Sequence, residues 1–141
     1  NQTRYCPNSD IFTIKLDSSG TILWTKLLGT SGTEQGAAAA TDSSGNIYVT
    51  GSTSGSLDGN THYGNSDIFL VKYNASGVKQ WTKQLGTSSA DSSSDLEFNS
   101  FNNQDYIYIT GTTAGGLDGN TNSSSGSDTF IVKYNTNGVK Q

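Results

Sequence analysis

The chain has 141 residues, of which 31% are hydrophobic and only 14% charged, and its formal net charge is −4. That length fits one ordinary domain, and so small a charged fraction excludes a charge-solvated disordered chain. Nothing forms the basic stripe that nucleic acid requires, no apolar run is long enough to span a bilayer as a helix, and the single cysteine, Cys6, excludes an intrachain disulfide.

Taken in chain order, residues 1–8 form an N-terminal extension, and the start at Asn1 rather than Met points to a processed or trimmed product. From residue 9 to 141 the sequence repeats itself. Ser9–Gly29 (SDIFTIKLDSSGTILWTKLLG) and Ser66–Gly86 (SDIFLVKYNASGVKQWTKQLG) agree at 12 of 21 positions. A third unit, SDTFIVKYNTNGVKQ, opens at Ser127 and matches Ser66–Gln80 at 11 of 15. Between these units, Ile47–Thr61 (IYVTGSTSGSLDGNT) and Ile107–Thr121 (IYITGTTAGGLDGNT) also agree at 11 of 15. Repeat units therefore start near 9, 66 and 127, at a period that suits a supersecondary unit of about four strands.

Nine strands are expected, near 10–17, 22–29, 37–42, 47–53, 67–73, 79–86, 96–101, 106–113 and 128–134. The first, third-listed and later segments are separated by Asp17-Ser-Ser-Gly20, Asp42-Ser-Ser-Gly45, Asn74-Ala-Ser-Gly77 and Asn135-Thr-Asn-Gly138. In such turns the Asp or Asn side chain bonds the backbone ahead of it and Gly supplies a positive φ. In β-strand alternation Phe12, Ile14 and Leu16 share one face and Ile11, Thr13 and Lys15 the other. The counterpart Asp67–Tyr73 is apolar on both faces, as expected of a strand sandwiched between two sheets. Ala37–Ala40 reads as a strand, because it precedes a DSSGN turn and small side chains suit a crowded inner strand. The fold class expected is all-β: β-propeller blades of four-stranded antiparallel sheets, about two and a quarter blades in this chain.

The combination SDxFxVKYxxxGxxxWTKxLG with DSSGNIYVTG resembles the SBBP family of bacterial β-propeller repeats, and most resembles the repeats of surface lipoproteins of spirochaetes such as Leptospira. The resemblance runs from about Asn8 to Gln141, with DSSGN lost at Asn102–Asp105. It implies a propeller fold and a secreted or bacterial outer-surface location, and it brings no active site to carry over. Cys6 has five residues before it and lacks the small or polar continuation of a lipidated N-terminal cysteine. Trp24 and Trp81, at one fixed place in two units, are expected to dock on the neighbouring blade, where a fully buried ring is worth roughly 3–5 kcal/mol against Ala.

Closed propellers need about four to eight blades. The expectation is therefore a homo-oligomer or a part of a longer propeller, joined head to tail as a ring or filament. A sheet edge beside the last strand invites a partner strand of the kind found at 22–29.

Chemistry, if any, should gather at two long polar loops, Thr53–Asn65 and Thr113–Gly126, on a face shared with Glu34, Asp91 and Asp95. Their common LDGN element places Asp58 and Asn60, or Asp118 and Asn120, two residues apart, with Asp67 and Asp128 able to close each loop. Hard oxygens so arranged suit calcium, whereas the plainer reading is a turn that fixes the loop. Calcium is the one cofactor expected under the first reading. A single histidine, His62, facing Asn122 in the next unit, leaves no triad and no multi-imidazole metal site. The expected function is a non-enzymatic, secreted or cell-surface module serving assembly and partner binding, with a protein or glycan as partner and no nucleic acid. A lectin-like carbohydrate-binding propeller is the alternative, and a secreted hydrolase domain ranks third.

Overall fold

The computed structural model describes residues 8–122 and 126–141, so Cys6 and the extension before Asn8 lie outside the described residues. Nine strands are described: β1 (Ile11–Leu16), β2 (Ile22–Leu28), β3 (Glu34–Thr41), β4 (Ile47–Thr53), β5 (Asp67–Tyr73), β6 (Lys79–Leu85), β7 (Asp91–Phe101), β8 (Gln104–Thr113) and β9 (Asp128–Asn135). They form three antiparallel sheets, ordered β1-β2, β3-β4-β5-β6 and β7-β8-β9. The all-β, four-stranded blade architecture stands, and the chain holds half of one blade, one whole blade and three strands of another. The sequence units and the blades are offset by two strands. The repeated SDxF motif opens β1, β5 and β9, which are third strands, so each sequence unit crosses from one blade to the next. No helix among the described residues is long and apolar enough to cross a membrane.

The turns follow the side-chain chemistry of their first residue. Asp17 Oδ1 accepts the N–H groups of Ser19 and Thr21, each at 2.9 Å. Asp42 does the same for Ser44 and Asn46, Asn74 for Ser76 and Val78, and Asn135 for Asn137 and Val139. Only Oδ1 is used on the backbone, so Asp and Asn interchange between units. The hairpin that lost this motif uses another device: Asn102 and Asn103 both take positive φ, 51° and 58°, as a two-residue type I′ turn requires. Two strands begin earlier than expected, β3 at Glu34 and β7 at Asp91. Each carries a bulge near its start, between Gly36 and Ala38 and between Ser93 and Asp95, which breaks the alternation that a sequence pattern detects.

In the whole blade the two central strands, β4 and β5, are buried on both faces. On β5, Phe69, Val71 and Tyr73 pack toward the β1-β2 sheet with Ile11, Leu28, Ile47, Val49 and Leu57. Ile68 and Leu70 pack the other way, with Tyr48, Leu96, Ile107, Ile109, Val132 and Tyr134. Trp24 and Trp81 seal these two seams as the repeat pattern suggests. The Trp24 Nε1–H donates to Ala75 O (3.1 Å) and its ring lies 5.9 Å from that of Tyr73. The Trp81 Nε1–H donates to Thr136 O (3.3 Å). Lys15 and Lys72 add donors to the same turns, at Ala75 O and Thr136 O, both 3.1 Å.

The two end sheets lack such cover. Phe12, Ile14 and Leu16, the repeat counterparts of Phe69, Val71 and Tyr73, are 64%, 51% and 53% exposed. At the other end Ile131, counterpart of Leu70, is 72% exposed.

Candidate functional site

The long loops are built identically around their LDGN elements. Leu57–Gly59 and Leu117–Gly119 each form one 3-10 turn, with Leu57 and Leu117 buried beneath it. Asp58 and Asp118 take the left-handed region at φ 50° and 56°, conformations that Asp tolerates better than most residues. Asn60 closes the first turn on Leu57 O, through its backbone N–H (2.9 Å) and its side-chain Nδ2 (2.7 Å). Asn120 repeats both bonds to Leu117 O at 3.1 and 3.0 Å.

The carboxylates then clasp the loop to the outer strand. Asp58 accepts from Lys79 Nζ and from Thr82 Oγ1. Burial would raise the Asp58 pKa, but the hydrogen bonds from Lys79 and Thr82 and the lysine charge outweigh it and hold the carboxyl below the usual range. Asp118 is paired with Lys140. Asp67 is fully buried and closes the loop from inside, accepting from the Tyr63 N–H and from Gln84 Nε2, both 2.8 Å, with His62 Nδ1 3.2 Å away. Its other oxygen lies over Gly86, where an added Cβ would come within 2.2 Å, so the Gly of the WTKxLG motif exists to admit the Asp of SDxF. Asp128 is half-buried at the start of β9.

Of the six residues expected as metal ligands, Asp58, Asn60 and Asp67 thus gather around β6, and Asp118, Asn120 and Asp128 line one groove beside β9. Within the first set, the partners in place are Lys79, Thr82, Gln84, His62 and backbone groups. Among the described residues no group of three or more His, Cys, Asp or Glu side chains is placed to hold a metal ion.

Three residues of the acidic face expected from the sequence are internal, while Asp58, Asp95 and Asp118 stay exposed. Glu34, Asp67 and Asp91 are 2%, 0% and 1% exposed. Glu34 accepts from the Thr30 N–H (2.9 Å), Thr30 Oγ1 (2.7 Å) and Thr53 Oγ1 (2.8 Å). Asp91 accepts likewise from the Thr87 N–H and Oγ1. These carboxylates stitch the inner strand of one blade to the incoming loop. Sequence reasoning missed the threonines, although Thr30 and Thr87, and Thr53 and Thr113, recur at equivalent places in both units. Gln84 was also missed: its counterpart in the first unit is Leu27, so no repeat signal marks it.

Comparison with known proteins agrees with this architecture. The chain is 33% identical over 143 aligned positions to Regulatory protein FlaEY of Caulobacter vibrioides. That alignment covers 94% of this chain and 15% of the relative, so the chain spans a small part of that protein. The relative comes from Caulobacter and not from a spirochaete, so the finer likeness to Leptospira lipoproteins has no support here. Residues 23–58 match the model of the SBBP beta-propeller repeat, a stretch that runs from β2 through β4 to the first LDGN turn and so bridges two blades.

Proposed function

We propose that this chain is a non-enzymatic propeller-repeat module, secreted or displayed on a bacterial surface, that works by assembling through its blade faces and presenting its long polar loops to a protein or glycan partner. One observation carries the reading. The apolar faces exposed at the two ends are repeat copies of the two faces that pack against each other inside the molecule. Phe12, Ile14 and Leu16 copy the Phe69 face, and Ile131 with Lys133 copies the Leu70 and Lys72 face. Such faces suit a neighbouring blade, supplied by a second copy or by a longer propeller of which this chain is a part. The name of the curated relative, a regulatory protein, is compatible with a module that binds rather than catalyses. Sedimentation velocity over a hundredfold range of concentration tests the assembly: concentration-dependent particles larger than one chain are expected, and a monomer at every concentration would overturn the reading.

A further inference from the structure

The fold uses most of its lysines and leaves two. Lys15 and Lys72 donate to turn carbonyls, Lys79 and Lys140 pair with Asp58 and Asp118, and Lys133 lies over the Tyr106 ring. Among the described residues, the ammonium groups of Lys26 and Lys83 have no hydrogen bond and no ion pair. These two lysines are repeat counterparts. Their stems are nevertheless fixed. A Cβ on Gly77 would stand 2.9 Å from Lys26 Cε, and one on Gly138 would stand 2.8 Å from Lys83 Cε. Each glycine thus admits a lysine stem as well as a Trp ring, and the half-buried lysine is held by packing with its head unpaired.

Each lysine borders a cavity at the blade seam. The first, of about 310 Å³, is lined by Lys26, Leu27, Tyr73, Gly77, Val78 and Lys79. The second, of about 420 Å³, repeats four of these positions as Lys83, Tyr134, Gly138 and Lys140. Tyr73 and Tyr134 are only 2% and 6% exposed, and among the described residues their hydroxyls make no hydrogen bond. A buried hydroxyl without a partner costs free energy that a ligand can restore. Burial raises both phenols to about 12, so each is a donor at neutral pH.

The first cavity is walled by β2, the end of β5, the turn that follows and the start of β6, with β2 paired to β1 and β6 to β5. It touches neither the exposed face of β1 nor the free edge of β9. The polar groups on it are the Lys26 ammonium, the Tyr73 hydroxyl and Lys79, whose charge Asp58 already balances. One uncompensated positive charge and a neutral donor suit one singly charged carboxylate. A phosphate dianion or a dense polyanion would bring more negative charge than this seam offsets, in a chain whose net charge is already −4. Leu27 and Val78 supply an apolar wall for the rest of the ligand.

We propose that the blade seam binds a small monocarboxylate, its oxygens taken by the Lys26 ammonium and the Tyr73 hydroxyl and its body resting on Leu27 and Val78, with a repeat copy of the site at Lys83 and Tyr134. The site is separate from the LDGN turns and from the end faces, and it needs no second chain.

The test is an amide-resolved NMR titration of the full chain with phenylacetate and with glucuronate, each beside its neutral counterpart, phenylacetamide or glucose. Saturable shifts of the Gly77 and Gly138 amides are expected with millimolar acid and not with the neutral compounds. Saturation by either acid supports the site, and the tighter of the two tells whether the natural carboxylate is carried by an apolar acid or by an acidic sugar. Lys26→Met keeps a stem over Gly77 and removes the charge. It should weaken binding at Gly77 by about tenfold and leave the titration at Gly138 unchanged, which shows at the same time that the variant is folded. Tyr73→Phe should weaken the first seam severalfold. Equal shifts with the neutral compounds, shifts that grow without saturating, or saturation at Gly77 that survives Lys26→Met undiminished would each overturn the inference. Both readouts are local to a seam inside one chain, so self-association through the blade faces decides neither.

Discussion

The indole of Trp24 and the carbonyl of Ala75 lie 51 residues apart in sequence and 3.1 Å apart in space, and the bond between them ties one blade to the turn of the next. The turn is shaped to receive the ring: Gly77 has φ +76°, and a Cβ there would stand 2.8 Å from Trp24 Cδ2. Gly138 meets Trp81 in the same way, at 3.1 Å. The blade seam is thus written twice in the sequence, once as the Trp and once as the Gly that admits it.

Trp24→Ala and Trp81→Ala should each cost about 2–4 kcal/mol, somewhat below the value for a fully buried ring because both are half-buried. Gly77→Ala should cost about 2 kcal/mol, combining left-handed strain with the clash. Gly20→Ala carries the same strain, with nothing within 4 Å of the added Cβ, and should cost about half as much. Urea denaturation of the four variants checks the ranking, and equal costs for Gly20 and Gly77 would refute the seam argument.

The threonine-carboxylate stitches should be more costly to cut than their small size suggests. Glu34→Ala leaves the half-buried Thr30 N–H without its acceptor and the Thr53 hydroxyl with only Gly55 O (3.2 Å), which costs roughly 1–3 kcal/mol. Thr53→Val removes one donor and should cost about 1–2 kcal/mol. A double mutant of the two, measured by thermal melting, should show less than additive loss, since both act on one bond.

Much of this was legible from the sequence. The Asx turns were, because their chemistry is local: Asp17 or Asn74 needs only its own next four residues. The Trp docking was, because a residue repeated at one position in two blades must serve what blades share. The inward turn of Glu34 and Asp91 was not. A carboxylate reads as surface unless its partners are known, and one partner of Glu34, Thr53 at the end of β4, faces it only once β3 pairs with β4. The LDGN turn was half-legible. Its turn character follows from Gly and Asn, whereas the choice of Lys79 as partner for Asp58 depends on the pairing of β6 with β5.

That clasp fixes the outcome of a metal titration. With Lys79 and Thr82 on its carboxylate, Asp58 should show no heat with millimolar calcium, and chelation should leave the melting temperature unchanged. Asp58→Ala and Lys79→Ala should each lower stability by up to about 1 kcal/mol, the range of a half-exposed pair. A rise of several degrees on adding calcium would instead favour the metal reading.

The pH dependence follows from two sets of groups. The Asp58 and Asp42 carboxyls are held below the unfolded value of about 3.9, burial being outweighed by hydrogen bonds from Lys79 and Thr82 and from Asn46 and Tyr48. Their contribution is therefore complete above about pH 4 and is lost as pH falls further. Burial, with a smaller push from Asp58 and Asp118, raises the Tyr73 and Tyr134 hydroxyls to about 12. Their contribution is complete below the unfolded value of about 10 and is lost as pH rises from there toward 12. Melting temperatures across pH 2–12 should fall at both ends, and Tyr73→Phe should flatten only the alkaline arm.

The direction of assembly can be read by blocking each end separately. Ile14→Asp places a charge on the exposed face of β1, and Ile131→Asp places one on the exposed face of β9. Each side chain is more than half exposed, so neither change should disturb the fold of a single chain. If the contact joins the β1 face of one copy to the β9 face of the next, as the internal seam joins Phe69 to Ile11 and Leu28, each variant keeps one working face and loses the other. Each alone should then sediment as a monomer, because a chain with one good face finds no matching partner among its own kind. An equal mixture should form a one-to-one dimer and stop there, since the single productive contact leaves a blocked face at either end. A symmetric contact between like faces predicts the opposite: one variant would still dimerise alone, and mixing would add nothing. Mass photometry of the two variants, separately and mixed, distinguishes these outcomes at a single concentration.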